Sequence, residues 1–153
     1  MNFSIRPAQS EDAAIIAGFQ IAMARETENK ELDAATVSAG VQNAFENPAN
    51  GFYLVAIDEK AEVVASLLVT FEWSDWRNSV FWWIQSVYVV PESRGKGIFR
   101  ALYADVKSRA QNDANICGLR LYVERDNAKA QGVYQRLGMH EAPYRIYEEE
   151  WVK

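Results

Sequence analysis

The chain has 153 residues, 49% of them hydrophobic, with a formal net charge of −5 at pH 7 and one cysteine. That length and apolar content predict one domain, residues 1–153, around one sizeable core. The acidic balance argues against a general nucleic-acid binder, and the lone Cys117 permits no internal disulfide and fits a reducing cytoplasm. Cys117 itself reads as a small buried hydrophobe on or before a strand. The most apolar stretch, around Val63 to Phe71, is interrupted by Ser66 and Thr70 and is too short to span a membrane. Arg6 and Ser10 to Asp12 break any apolar N-terminal signal. His140 has no visible partner, and no metal site is expected.

Ser4 to Ala8 reads as a short first strand. Ser10 then caps a helix whose first turn holds Glu11 and Asp12, where negative charge is favourable. Ala13, Ile16, Phe19, Gln20 and Met23 share one face of it, and it frays near Arg25. The acidic run Glu26 to Asp33 reads as a solvated loop or helix edge. Asp33 or Thr36 begins a second helix through about Phe45, closed by Asn47 to Gly51. Phe52 to Ile57 and Val63 to Trp73 form an antiparallel hairpin, and Val80 to Val89 is a fourth strand. Adjacent Trp82 and Trp83 must face opposite sides of that strand. Their plainest role is core and sheet packing; the alternative is an aromatic wall of a pocket.

The most informative stretch follows. Val87-Tyr88-Val89-Val90 ends at Pro91, which cannot donate to a ladder. Pro91-Glu92-Ser93 turns the chain, and Arg94-Gly95-Lys96-Gly97 opens a helix with Ile98, Ala101, Leu102 and Val106 at helical spacing. Glycines let backbone approach a ligand, and a helix N-terminus presents unpaired N–H groups and partial positive charge. Arg94, Lys96 and Arg100 add full charges, so the turn reads as an anion site suited to a phosphate or pyrophosphate. An ordinary strand-to-helix connection is the bland alternative. A Walker A loop is excluded, and a dinucleotide fingerprint is disfavoured by Arg100 at its third glycine and by the element order. Further on, Ile116 to Glu124 contains a fifth strand. Asp126-Asn127 starts a helix striped by Ala130, Val133, Tyr134 and Leu137 and stopped by Gly138, and Tyr144 to Val152 reads as a last strand.

At Arg94-Gly95-Lys96-Gly97-Ile98-Phe99 the chain resembles the acyl-CoA-binding motif of the GCN5-related N-acetyltransferases, [Gln/Arg]-x-x-Gly-x-[Gly/Ala], with Phe99 in place of the small residue. Asn127-x-x-Ala130-x-x-x-Tyr134-x-x-x-Gly138-Met139 resembles the family's second block, and Ile5-Arg6-Pro7-Ala8 resembles its usual start. The string Glu72 to Arg77, with Phe81 to Val89, is similar to an uncharacterised bacterial subgroup. The resemblance implies an α+β fold in α/β/α layers. Its central sheet would be mixed, mostly antiparallel and of the acyl-CoA N-acyltransferase type, with helices on both faces. It implies acetyl-CoA as cosubstrate, the pyrophosphate cradled by amides from Gly95 to Phe99 and the pantetheine arm paired with Val87-Tyr88-Val89. Asn127 would hydrogen-bond the cofactor or merely cap its helix.

Transfer from a thioester to an amine needs a held donor, a neutral amine, a stabilised carbonyl oxygen and a protonated leaving thiolate. The N–H near Val87 is placed to polarise the carbonyl. Tyr134 is the general-acid candidate, since a phenol near pKa 10 can protonate a thiolate whose acid is near about 8.5; its bland role is a core tyrosine. Family members often carry a glutamate on the fourth strand where this chain has Trp83 and Gln85. That leaves Glu72, Glu26 or Glu28 as base, with Glu72 favoured, or an amine that arrives neutral. Glu26, Glu28, Trp82 and Trp83 are the expected acceptor-site residues, and the acidic ones favour a cationic small-molecule amine or a lysine-like side chain. A homodimer is the assembly members often adopt. The rival reading is a non-catalytic acyl-CoA-binding sensor or interaction module.

Overall fold

Residues 2–151 are described by the computed structural model. Strand β1 (Phe3–Pro7) leads through a 3-10 turn (Ser10–Asp12) into α1 (Ala13–Glu28) and α2 (Ala34–Glu46). Strands β2 (Phe52–Asp58), β3 (Val63–Ser74) and β4 (Ser79–Val89) follow, then a 3-10 turn (Pro91–Ser93), α3 (Ile98–Gln111), β5 (Ile116–Leu121) and α4 (Ala128–Arg136). The chain falls into two compact units, one ending at Tyr122 and one beginning at Val123.

In the first unit the strands lie in the order β1-β2-β3-β4-β5. The first three pairings are antiparallel, with Leu54 opposite Leu67 and Thr70 opposite Trp83; the last is parallel, with Trp83 opposite Arg120. Alternation along β2 divides the core. Tyr53 and Val55 pack with Ile16 and Ala17 of α1 and Val41 of α2. Leu54 and Ala56, wholly buried, point the other way, and α3 lies against β1, β2 and β4 through the fully buried Leu102 and Val106. Helices therefore cover both faces of a mixed, mostly antiparallel sheet, the α+β layering expected.

Local chemistry moves some boundaries. Ser10 does not cap α1. The organiser is Asp12, which accepts the Gln9 N–H (2.7 Å) and a two-pronged Arg6 guanidinium (2.8 and 3.1 Å). Helix α1 runs past Arg25 to Glu28 and stops at Asn29, which adopts the left-handed conformation (φ 49°) that asparagine tolerates. Glu26 and Glu28 thus sit on the last helical turn. Asp33 caps α2 by accepting the Thr36 N–H at 2.9 Å. Cys117 is exposed on the edge strand β5, not buried. No strand forms over residues 144–151, and Val152 lies outside the described residues. Arg145, Tyr147 and the run Glu148–Glu150 defeat the alternation that Tyr144 and Ile146 begin, and Tyr144, Ile146, Tyr147 and Trp151 are all exposed.

The second unit is built on α4. Asn127 caps it, its side-chain oxygen accepting the Ala130 N–H at 3.0 Å. Gln131 Nε2 ties the preceding turn by donating to the Glu124 (3.0 Å) and Arg125 (2.9 Å) carbonyls. Gly138 (φ 98°) ends the helix, with the Met139 N–H returning to the Tyr134 carbonyl at 3.0 Å.

Candidate functional site

Strand β4 is flanked unequally along its length. Val80 to Ile84 pair with both β3 and β5, whereas from Gln85 onward β4 pairs with β3 alone among the described residues. A bulge sits at the change. Leu68 faces Gln85 and Ser66 faces Tyr88, so three residue steps of β4 span two of β3, and Ser86 takes up the extra length at φ 52°. Beyond it the Val90 N–H donates to the Val64 carbonyl at 2.9 Å. Successive backbone groups point to opposite edges, so the N–H and C=O of Val89 face the open edge, with Val87 two residues before.

The open edge runs directly into the glycine turn. Gly95 and Gly97 have φ of 74° and 82°, and a Cβ added at either would meet nothing within 4 Å. The demand for glycine is therefore conformational, and space stands beyond both residues. Gly97 is the N-cap of α3, whose first ladder bond is Ala101 N–H to Gly97 C=O (3.1 Å), so the amides ahead of it lie outside the helical ladder. Lys96 Nζ donates to the Glu92 carbonyl at 2.9 Å. Open strand edge, glycine turn, helix N-terminus and cations together fit a ligand with an amide-bearing arm and a pyrophosphate.

Arg94, expected on that anion, has other partners. Its Nε donates to the Val89 carbonyl (2.8 Å) and its Nη2 to Glu26 Oε2 (2.7 Å). The second oxygen of Glu26 accepts the Tyr88 hydroxyl at 3.1 Å. The Tyr88 ring lies 5.1 Å from that of Phe19 and carries the Arg94 guanidinium 5.4 Å above it. Arg94 holds the Glu26 carboxyl below its usual range, while burial, and then Glu26, push the Tyr88 phenol up. Glu28, two residues further along α1, is exposed.

The same face of β4 continues through Gln85, Trp83 and Phe81 toward β5. Gln85 Nε2 donates to Thr70 Oγ1 (2.6 Å). Glu72 Oε1 accepts Trp83 Nε1 (2.9 Å) and Arg120 Nη1 (2.7 Å), and Arg120 lies 3.6 Å over the Phe81 ring. Trp83 also packs against Tyr122, with ring centres 4.5 Å apart. The Trp83 and Arg120 donors hold the Glu72 carboxyl below its usual range. A carboxylate so stabilised is a poor proton acceptor, which counts against the base role expected for it.

Trp82 parts from its expected companions. It is 9% exposed and packs against Phe52 (5.1 Å) and Phe71 (6.4 Å) on the opposite face from Trp83, because neighbours on a strand alternate. Glu26 and Trp83 share one face; Trp82 belongs to the core on the other. In the second unit, burial pushes the Tyr134 phenol up, and Asn127 spends its oxygen on the cap. Sequence reasoning missed Arg120, Tyr122 and the Ser86 bulge. Arg120 had a signal, a charge inside the Leu119-Arg120-Leu121 alternation; the bulge had none.

A family model described as "Acetyltransferase (GNAT) family" matches residues 16–139. A mycothiol acetyltransferase of Pseudarthrobacter chlorophenolicus is 31% identical over 138 residues; the match covers 86% of this chain but only 40% of that relative. The crystal structure of a "possible acetyltransferase" from Clostridium difficile 630 is 43% identical with a TM-score of 0.92, covering 100% of both chains. A Clostridium acetobutylicum "predicted acetyltransferase with acetyl-CoA" shares the fold at 17% identity and TM-score 0.78, covering 97% of this chain and 96% of that one.

Proposed function

The chain belongs to the GNAT acetyltransferase family, and we propose that it transfers an acetyl group from acetyl-CoA to a primary amine, a small molecule or a lysine-like side chain, by direct attack on the thioester. Both units are read as one domain of residues 1–153, a reading supported by a family match that crosses the boundary at Tyr122. The observation that carries the proposal is the open half of β4, bulged at Ser86 and continuous with the positive-φ glycine turn and the N-terminus of α3.

Acetyl-CoA supplies an activated acyl group and a thiolate leaving group. Val87 and Val89 would pair with its arm, and the amides from Gly95 through Ile98 to Phe99, with Lys96, would hold the pyrophosphate. The outward N–H near Val87 is suited to polarise the thioester oxygen, stabilising charge that develops only as the amine attacks. Tyr134 is proposed as the acid for the thiolate, because a phenol carries its proton at neutral pH. Asn127 retains its side-chain N–H₂ for the cofactor, because the cap uses its oxygen. The acceptor would meet Glu26, Glu28 and Trp83. No strong base is assigned: Glu72 is better suited to hold Trp83 and Arg120 in place, and the amine reacts from its neutral fraction.

That last point favours the second reading, an acyl-CoA-binding module without turnover. One experiment separates them. Titration calorimetry with acetyl-CoA, with NAD as control, is expected to show saturable binding of acetyl-CoA alone. CoA release across an amine panel should then occur with wild type and fall about 100-fold or more with Tyr134→Phe at unchanged acetyl-CoA affinity. Binding without turnover would establish the module; no binding would refute both readings.

A further inference from the structure

We propose that Glu26 is an acceptor ligand gated by the donor: Arg94 neutralises it until acetyl-CoA is loaded, and loading releases it to the amine. The inference rests on the acetyltransferase reading above. It starts from an economy of contacts. One guanidinium serves both the carbonyl of Val89 and the carboxylate of Glu26, at 2.8 and 2.7 Å. Val89 C=O is an outward acceptor on the unpaired edge, and Arg94 is the first residue of the turn leading to α3. An arm that pairs with this edge meets Arg94 already on Val89. A pyrophosphate at the glycine turn competes with Glu26 for the same cation, and carries more negative charge than one carboxylate. Loading therefore draws Arg94 off both partners.

Glu26 does not lose its position when Arg94 leaves. The Tyr88 hydroxyl still donates to its other oxygen, and Tyr88 is 7% exposed, seated against Phe19. The vacated Oε2 is then an unpaired carboxylate oxygen beside the face of β4 that carries Gln85 and Trp83. An ammonium arriving there finds a partner only after the donor is in place. Without the donor, Arg94 occupies that oxygen and adds a like charge against the amine. The sequence reading gave Glu26 to the acceptor and Arg94 to the donor; their ion pair makes the two sites one device.

The test uses Glu26→Gln, which keeps shape and hydrogen bonding but removes the charge that retains Arg94. Expected are an acetyl-CoA Kd about three- to tenfold lower by calorimetry, since Arg94 is no longer held, and a kcat/KM for the best cationic amine at least tenfold lower. A thermal-unfolding cycle over Glu26→Gln and Arg94→Ala should show coupling without CoA and none with CoA saturating. Glu26→Ala should move acetyl-CoA affinity in the same direction and guards against a peculiarity of glutamine. Equal or weaker acetyl-CoA binding by both variants, or coupling that persists with CoA bound, would overturn the latch alone. No acetyl-CoA binding by wild type would overturn the acetyltransferase reading, and the latch with it.

Discussion

The two halves of β4 differ in what they contribute. From Val80 to Ile84 the strand is hydrogen-bonded on both sides, so its backbone is spent on the sheet and its side chains make the difference: Trp82 to the core, Trp83 to the opposite face. From Gln85 to Val89 one side is open, so the backbone itself is available, and the side chains there matter mainly for holding it in place. The bulge at Ser86 marks the change. A non-glycine residue at φ 52° costs on the order of 1 kcal/mol, a strain typical of sites where backbone is aimed at a ligand. Side-chain substitutions should therefore be felt most in the first half and backbone substitutions in the second.

The largest effect expected is on stability. Trp82→Ala removes a ring that is 9% exposed and packed on Phe52 and Phe71. Truncating a buried tryptophan costs about 3–5 kcal/mol, to be read from urea unfolding, while the acetyl-CoA affinity of the folded protein stays unchanged. A small stability loss with a large rise in amine KM would instead return Trp82 to the acceptor site.

Next in size is a backbone change in the open half. The Val89 N–H points away from β3, so Val89→Pro removes an outward donor without breaking a ladder bond, as proline is tolerated at such edges. Losing one hydrogen bond to the donor arm, about 1.4 kcal/mol, should raise the acetyl-CoA Kd roughly tenfold. Circular dichroism checks that the fold is kept. An unaltered Kd in a folded protein would mean the open edge is not where the arm pairs.

How much of this was legible in the sequence depended on whether the signal was local. The glycine turn, the Asp33 cap, the Asn127 cap and the opposite facings of Trp82 and Trp83 follow from residues within a few positions, and the structure has all of them. The Glu26–Arg94 pair spans sixty-eight positions, and the Glu72–Arg120 pair forty-eight; each exists only because the fold brings α1 to the turn or β3 near β5. The Ser86 bulge depends on how β3 and β4 slip past one another and carries no glycine to announce it. The strand expected after Tyr144 is the opposite case: the alternation of Tyr144 and Ile146 is local but weak, and three consecutive glutamates end it.

The smallest effect expected is the one that decides the chemistry of the first half. The Trp83 and Arg120 donors hold the Glu72 carboxyl below the usual carboxylate range. A group with a depressed folded pKa stabilises above its unfolded pKa and loses that contribution as pH falls through the folded value, so the pair contributes at neutral pH and is lost in acid. With Glu72 side-chain exposure at 46%, its worth is about 1 kcal/mol or less at neutral pH, and it falls away as acid protonates the carboxyl. Between pH 6 and 9 Glu72 is already fully ionised and has no proton to exchange. Glu72→Gln should then leave the pH–rate profile where it is, raise amine KM a few-fold by loosening Trp83 and Arg120, and lower the unfolding midpoint slightly at pH 7, by an amount that shrinks as the pH is taken into acid. A profile displaced to higher pH would make Glu72 the base after all, and would mean that the amine displaces Arg120 when it binds.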